Sequence, residues 1–337
     1  MTKAHAGAVH GLRGLAAGSV VAFHVYDMGR KVAFWSVSPS TAFWLEKIGT
    51  FAVCAFFGIS GYLILLTLKR HGDAKRFVRN RFIRIYPLFF LLNLFLFIAG
   101  PLTGYDWMAR LRHDPGAWAL HFLSNSFFVP GVAHVPIAQE NAWSLSFEAV
   151  FYVAAGFLFF GLSGRKWLLV LLGTAVTAAA LWWHTLFWFF LVGVAVSAMR
   201  DRHWLLKLPT GPFDLICLAL AFPLFCISPI LALLPMIGFF AAVVDGRGWL
   251  GKLLIREPWQ WLGTVSYSLY LVHPFAMDGC RRIALKLPLD IGRVFFVLAG
   301  PSLAIVLSYL TYRWIEVWLT DTLFKRGGRP LASPKPA

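Results

Sequence analysis

Long apolar runs separated by short polar or basic breaks dominate this chain. Runs of membrane-crossing length lie near residues 12–28, 48–68, 84–102, 142–162, 167–183, 185–199, 213–228, 229–244, 262–280 and 294–318. Two neighbouring pairs abut, at Trp183-His184 and at Ser228-Pro229, and each reads as a tight hairpin. The pattern predicts an all-α chain, a polytopic membrane helix bundle of about ten transmembrane helices. An even number of crossings puts both termini on one side. The longest break, Thr103 to Asn141, carries Trp107, Trp118, Phe122, Phe127 and Phe128. It is too apolar for a flexible linker and is expected to pack back over the bundle.

The basic residues test this topology independently. With the N-terminus in the cytoplasm, about 21 of them fall on cytoplasmic segments and about 9 on the opposite side. Both termini are therefore expected to be cytoplasmic, in a multi-pass protein of the cytoplasmic (inner) membrane. Topology also accounts for the net charge of +16. Positive charge spread over loops is not the footprint of a nucleic-acid binder, so no nucleic acid is expected.

Composition narrows the class further. Hydrophobic residues make up 59% and charged residues 14%, against about 25% charged in a soluble domain. Cys54, Cys217, Cys226 and Cys280 sit in apolar runs without paired spacing, so neither a disulfide nor a metal site is expected. The start of the chain lacks a small-residue cleavage site, and the first helix is expected to stay. A single transmembrane domain over residues 1–320 and a short basic cytoplasmic tail over 321–337 complete the organisation.

Three stretches inside this apolar background carry ionisable groups. In Gly11–His24, eleven residues separate Arg13 from His24. At about 100° per residue this places both on one helix face, about 16 Å apart along the axis. An imidazole at mid-depth is costly and faces a cavity or a partner. In Lys69–Pro87, seven positive charges crowd sixteen residues. Part of this is a lipid anchor. Arg81 and Arg84, three apart where the helix enters the apolar phase, also form a phosphate clamp, with Arg13 on the same side. In Asn141–Tyr152, Glu148 lies about 8 to 10 Å into the membrane from the external face and needs a partner or a proton.

The stretch Trp261–Pro274 adds hydroxyls at successive depths, with His273 nearer the outside. Interhelical hydrogen bonds alone account for such hydroxyls. Together the stretches form a gradient: phosphate-binding charge at the cytosolic face, an imidazole at mid-depth and a carboxylate towards the outside. That suits an enzyme that takes an activated donor from the cytosol and delivers a group to an acceptor reached from outside.

The residues resemble the acyltransferase 3 family of membrane proteins. The matching elements are Leu12–Ala17 leading to Phe23-His24, Phe56–Ile64, Arg81–Pro87, Trp143–Leu145 with Glu148–Tyr152, and Gly263–Pro274. They stand in the family's order and span Leu12 to about Glu316. The resemblance implies an acyl-CoA-dependent O-acyltransferase that moves an acyl group, acetyl first, onto a hydroxyl of a cell-envelope glycan or exported oligosaccharide. Acyl-CoA (acetyl-CoA) would be a co-substrate, with no tightly bound cofactor. Arg13, Arg81 and Arg84 would contact its phosphates, His24 would be catalytic, and Glu148 would orient or deprotonate the acceptor hydroxyl. Trp143, Ser266, Tyr270 and His273 are the remaining candidates for substrate contact. The partners implied are the acyl-CoA donor, a glycan or lipid-linked sugar acceptor and the bilayer, and a homo-oligomer is compatible with the sequence.

Two departures from the family stand out. Trp318 occupies a position where the family often has proline. No fused extracellular hydrolase-like domain is seen, so the expectation is either transfer completed alone or acyl groups passed to a separate partner. The competing readings are acylation of a secondary-metabolite sugar by the same machinery, and a transporter or flippase with an intramembrane Arg-His-Glu relay. Inverted repeats would favour the transporter, and none is visible.

Overall fold

The computed structural model describes residues 3–319 and Thr322. The expected basic tail, with Lys325, Arg326, Arg329 and Lys335, lies outside the described residues. Within them the chain is helical, with two isolated β-bridges and no strand. The twelve helices are α1 (Lys3–Lys31), α2 (Pro39–His71), α3 (Ala74–Thr103), α4 (Pro115–Ser126), α5 (Trp143–Ser163), α6 (Trp167–Trp183), α7 (Trp188–Asp201), α8 (Phe213–Ile227), α9 (Leu233–Asp245), α10 (Trp249–Leu254), α11 (Trp259–Ala284) and α12 (Leu289–Thr311). A π-helical turn, Tyr312–Val317, extends α12.

Each of the ten apolar runs falls on a helix. Five stretches are long and apolar enough to cross a membrane: Ala6–Lys31, Pro39–Arg70, Ala74–Thr103, Glu140–Ser163 and Leu289–Val317. These mark a multi-pass membrane protein. Of the other helices, α6, α8 and α9 are apolar but run 17, 15 and 13 residues. At 1.5 Å per residue they rise about 20 to 26 Å, short of a 30 Å hydrocarbon core. Leu91, Phe95, Ile98 and Leu102 on α3 and Ile291, Val294 and Leu298 on α12 point outward, as lipid-facing surfaces do.

Local signals set the helix limits. Gly72, at φ 62°, closes α2 by donating its N–H to Leu68 O, and the Asp73 carboxylate caps α3 by accepting from Lys75 N. Helix α3 therefore starts at Ala74 and carries Arg81 and Arg84 on regular helix. The long break is structured as anticipated. It holds α4 and 3-10 turns at Asp106–His113 and Glu140–Ala142. Trp118 donates to the Phe97 carbonyl at 2.8 Å, pinning it to α3, where Leu96, Phe97, Met108, Leu111 and Ala138 form a small core.

One of the two expected hairpins needs correcting. Helices α8 and α9 pack together, but α6 lies mainly on α5 and α7 mainly on α2. The turn between α6 and α7 is tight, yet the helices part there. Glycine explains where α7 goes. A Cβ on Gly193 would come within 1.9 Å of Gly58 O, and one on Gly61 within 2.1 Å of Phe190 O, so α2 and α7 touch backbone to backbone. Helices α1 and α11 meet in the same way. A Cβ on Gly14 would lie 2.6 Å from Trp259 O, and one on Gly263 2.3 Å from His10 O. This contact sets α1 and α11 side by side and fixes the site.

Candidate functional site

A cavity of about 80 Å³ opens where α1, α2, α3, α5 and α11 converge. Of the residues expected in a site, Arg13, Arg81, Arg84, Glu148, Ser266 and Tyr270 line it. Arg81 and Arg84 reach it from adjacent turns of α3, as their spacing requires. Arg84 is exposed, and Arg81 is half-buried. The Arg81 guanidinium donates to Thr67 Oγ1 at 2.7 Å and lies 5.9 Å from the Phe77 ring and 5.8 Å from the Tyr152 ring. Two aromatic faces and one hydroxyl fix its plane. Its Nε is buried without a partner.

Glu148 is held by its neighbours on one oxygen. Ser60 Oγ donates to Oε1 at 2.6 Å, and the Tyr152 hydroxyl, one turn along α5, donates to the same atom. Sequence reasoning missed both partners, and it missed Glu316 as a member of the site. Glu316 sits on the π-turn after α12, accepts from Ser268 Oγ, and lies within electrostatic reach of Arg84 and Arg13. A carboxylate in an apolar run was the signal that could have found it, and π-turns recur at functional sites. Three guanidinium groups thus face two carboxylates. The excess positive charge favours an anionic ligand.

Three expected residues lie outside this lining. Trp143 packs edge-on against Phe57 and Phe147, at 6.2 and 5.3 Å between centroids. His24 and His273 form a pair of their own, with ring centroids 4.9 Å apart and planes tilted 50°. Since a carbonyl only accepts, the 2.8 Å contact to Leu269 O makes His273 Nδ1 the donor. His273 Nε2 and His24 Nδ1 are buried without partners. The His273 ring is 6.2 Å from that of Tyr270, which lines the cavity. The histidine pair therefore borders the cavity at its Tyr270 end.

Two further residues that the sequence reading passed over hold this region together. Pro274 lies inside α11 and has no N–H to give the Tyr270 carbonyl. Asn141 Nδ2 donates to that carbonyl instead, and Gln139 Nε2 donates to Leu271 O at 3.1 Å. The Tyr270 hydroxyl contacts Ser144 Oγ at 2.7 Å and donates to Asn141 O at 2.8 Å. The end of the long loop is thereby stitched to α11 beside His273. Among the described residues no group of three or more His, Cys, Asp or Glu is placed to hold a metal, and the four cysteines are free and buried.

Residues 7–313 match the family described as acyltransferase domain. Similar proteins include one of Staphylococcus aureus (strain COL) provisionally named an O-acetyltransferase, at 25% identity over 91% of this chain and 56% of the relative. The exopolysaccharide production protein ExoZ of Rhizobium meliloti is 28% identical over 77% of this chain and 86% of its own length. The peptidoglycan O-acetyltransferase OatA of Listeria monocytogenes is 24% identical over 91% of this chain and 54% of its own. The chain thus spans about half the length of the staphylococcal and listerial relatives. No solved structure matches it at a significant level. The match runs from the first turns of α1 to Arg313, across every helix that builds the cavity, and the chain belongs to the acyltransferase 3 family.

Proposed function

We propose that this protein is an acyl-CoA-dependent O-acyltransferase that moves an acyl group, acetyl first, from cytosolic acyl-CoA to a hydroxyl of a cell-envelope glycan. It would lie in the cytoplasmic membrane with ten spans and both termini inside. The single observation that carries the reading is the convergence of Arg13, Arg81 and Arg84 on one cavity bordered by the His24–His273 pair. Guanidinium groups bind phosphate oxygens in bidentate fashion. In this reading the nucleotide stays at the exposed Arg84, and the narrow interior suits the slim acyl-thioester arm. Family membership, and relatives named for O-acetylation and exopolysaccharide production, support an acyltransferase over a transporter.

Transfer forms a bond between the acceptor oxygen and the acyl carbon as the bond from that carbon to sulfur breaks. The acceptor's proton passes to an imidazole nitrogen and then to the departing CoA sulfur, leaving CoA as the thiol. His24 is the residue assigned to this proton as general base. In the covalent alternative its imidazole nitrogen takes the acyl group as the bond to sulfur breaks and CoA leaves as the thiol. The acceptor hydroxyl, losing its proton, then takes the acyl group from the imidazole. Glu148, with Ser60 and Tyr152 fixing one oxygen, keeps the other free to orient the acceptor. The test is incubation of the purified protein in lipid nanodiscs with radiolabelled acetyl-CoA and an envelope glycan fraction. Label appearing in ester linkage to glycan supports the reading. Acetyl-CoA that neither binds nor loses its acetyl group would return the field to the transporter alternative.

A further inference from the structure

A second cavity, of about 380 Å³, lies between the C-terminal part of α3, the long loop and the second half of α11. That is within the range of small-molecule sites. It shares no lining residue with the arginine cavity. Its walls include Tyr105, Gln139, Glu140, Phe275, Asp278 and Arg282.

We propose that this cavity binds the body of the acceptor saccharide, whose reacting hydroxyl extends past the histidine pair towards Glu148, so that acceptor and donor approach from opposite ends. The proposal rests on the acyltransferase reading and adds the acceptor's place to it. Gln139 carries it. The residue lines this cavity and is 2% exposed; its Nε2 is committed to Leu271 O, and its buried Oε1 has no partner. A buried amide oxygen left unpaired is costly, and a ligand hydroxyl would satisfy it.

The surroundings fit a polyhydroxylated ring. Phe275 and Tyr105 offer aromatic faces to its apolar side. Glu140 offers carboxylate oxygens to its hydroxyls, beside Asp278, whose two oxygens already accept from Arg281 and Arg282. The Arg282 charge is already engaged, its Nε donating to Asp278 Oδ2 at 2.7 Å, so the site is not a free anion trap. Position agrees as well. His273 stands in α11 between Tyr270, in the lining of the arginine cavity, and Pro274, in the lining of this one. Phe95, 57% exposed and 6.2 Å from Phe275, leaves an apolar side open, which a lipid-linked saccharide would use and a free oligosaccharide would not.

Gly279 gives a clean handle on this cavity. It lines the cavity, is exposed, and a Cβ there would meet no atom within 4 Å. The native cysteines are buried. The full-length Gly279→Cys protein in lipid nanodiscs is labelled with a membrane-impermeant maleimide, alone or with octyl β-D-glucoside, maltotriose or octanol; Glu140→Cys is the second variant should the first not fold. Slowing of labelling by at least about threefold by a saccharide but not by octanol supports the site. Protection by maltotriose as well as by the glucoside points to a free oligosaccharide, and protection by the glucoside alone to a lipid-linked one. No protection by either, or equal protection by octanol, overturns the proposal. Fully labelled protein should also lose transfer by at least about tenfold while its acetyl-CoA affinity stays within about twofold; unchanged transfer overturns the proposal too. Saccharide protection of Gly279→Cys, together with wild-type protein that neither binds nor turns over acetyl-CoA, would strike the acyltransferase reading alone.

Discussion

His24 of α1 and His273 of α11 lie ring against ring, 4.9 Å between centroids, though 249 positions separate them in the chain. The contact depends on the glycine-mediated approach of the two helices at Gly14 and Gly263. It leaves one nitrogen on each ring buried and unpartnered. Unsatisfied polar atoms at that depth are costly, and the pair suits the proton-transfer role proposed for it.

The first prediction concerns the pair itself. His24→Ala should reduce acetyl transfer at least about a hundredfold, the usual worth of a positioned general base. Its acetyl-CoA affinity should stay near wild type, because His24 is outside the lining of the arginine cavity. Isothermal titration and an initial-rate assay on the same nanodisc preparation check both halves. Retained turnover would remove His24 from the mechanism.

The arginine clamp predicts the opposite split. Arg81→Ala together with Arg84→Ala should weaken acetyl-CoA binding by at least about tenfold, since a hydrogen bond to a charged group contributes about 1.5–3 kcal/mol. Binding should also fall with added salt in the wild type more than in the double variant. Unchanged affinity would leave the basic stretch as a lipid anchor.

Both predictions draw on features that were legible in the sequence to different degrees. Arg81 and Arg84 are three residues apart, so helix geometry alone makes them neighbours, and both line the cavity. Arg13 and His24 were expected on one face of a helix, and α1 is continuous through both. That geometry did not say that Arg13 would line the cavity while His24 met His273. Partners far apart in the chain were invisible. Ser60 and Glu148 are 88 positions apart, and no periodicity brings them together. The parting of α6 and α7 was equally hidden, because it depends on which helix the glycines of α2 admit. The part played by Asn141 depends on Pro274, which interrupts the bonding of a helix more than a hundred positions away.

Glu148 separates acceptor chemistry from donor binding. Glu148→Gln keeps the size of the side chain and an oxygen for Ser60 and Tyr152 but removes the charge. Transfer should fall at least about tenfold more than acetyl-CoA affinity does. Equal loss of both, measured by titration and initial rates on one preparation, would make Glu148 a structural counter-ion to Arg81 and Arg13.

The last prediction tests the stitching of the long loop to α11. Asn141 Nδ2 donates to the Tyr270 carbonyl, which Pro274 leaves without a helical donor. Asn141→Ala should strand that buried carbonyl and lower stability by about 1–3 kcal/mol, read as a lower melting temperature in detergent. Pro274→Ala restores an N–H at the position four residues after Tyr270. In the Asn141→Ala background it should recover part of the loss, because the helix then supplies the missing donor. In the wild-type background the same change has no orphan to rescue. The two substitutions should therefore be non-additive by about 0.5–3 kcal/mol in the direction of rescue. Simple additivity would mean that the amide and the proline act separately, and that the loop end is held by Gln139 and packing alone.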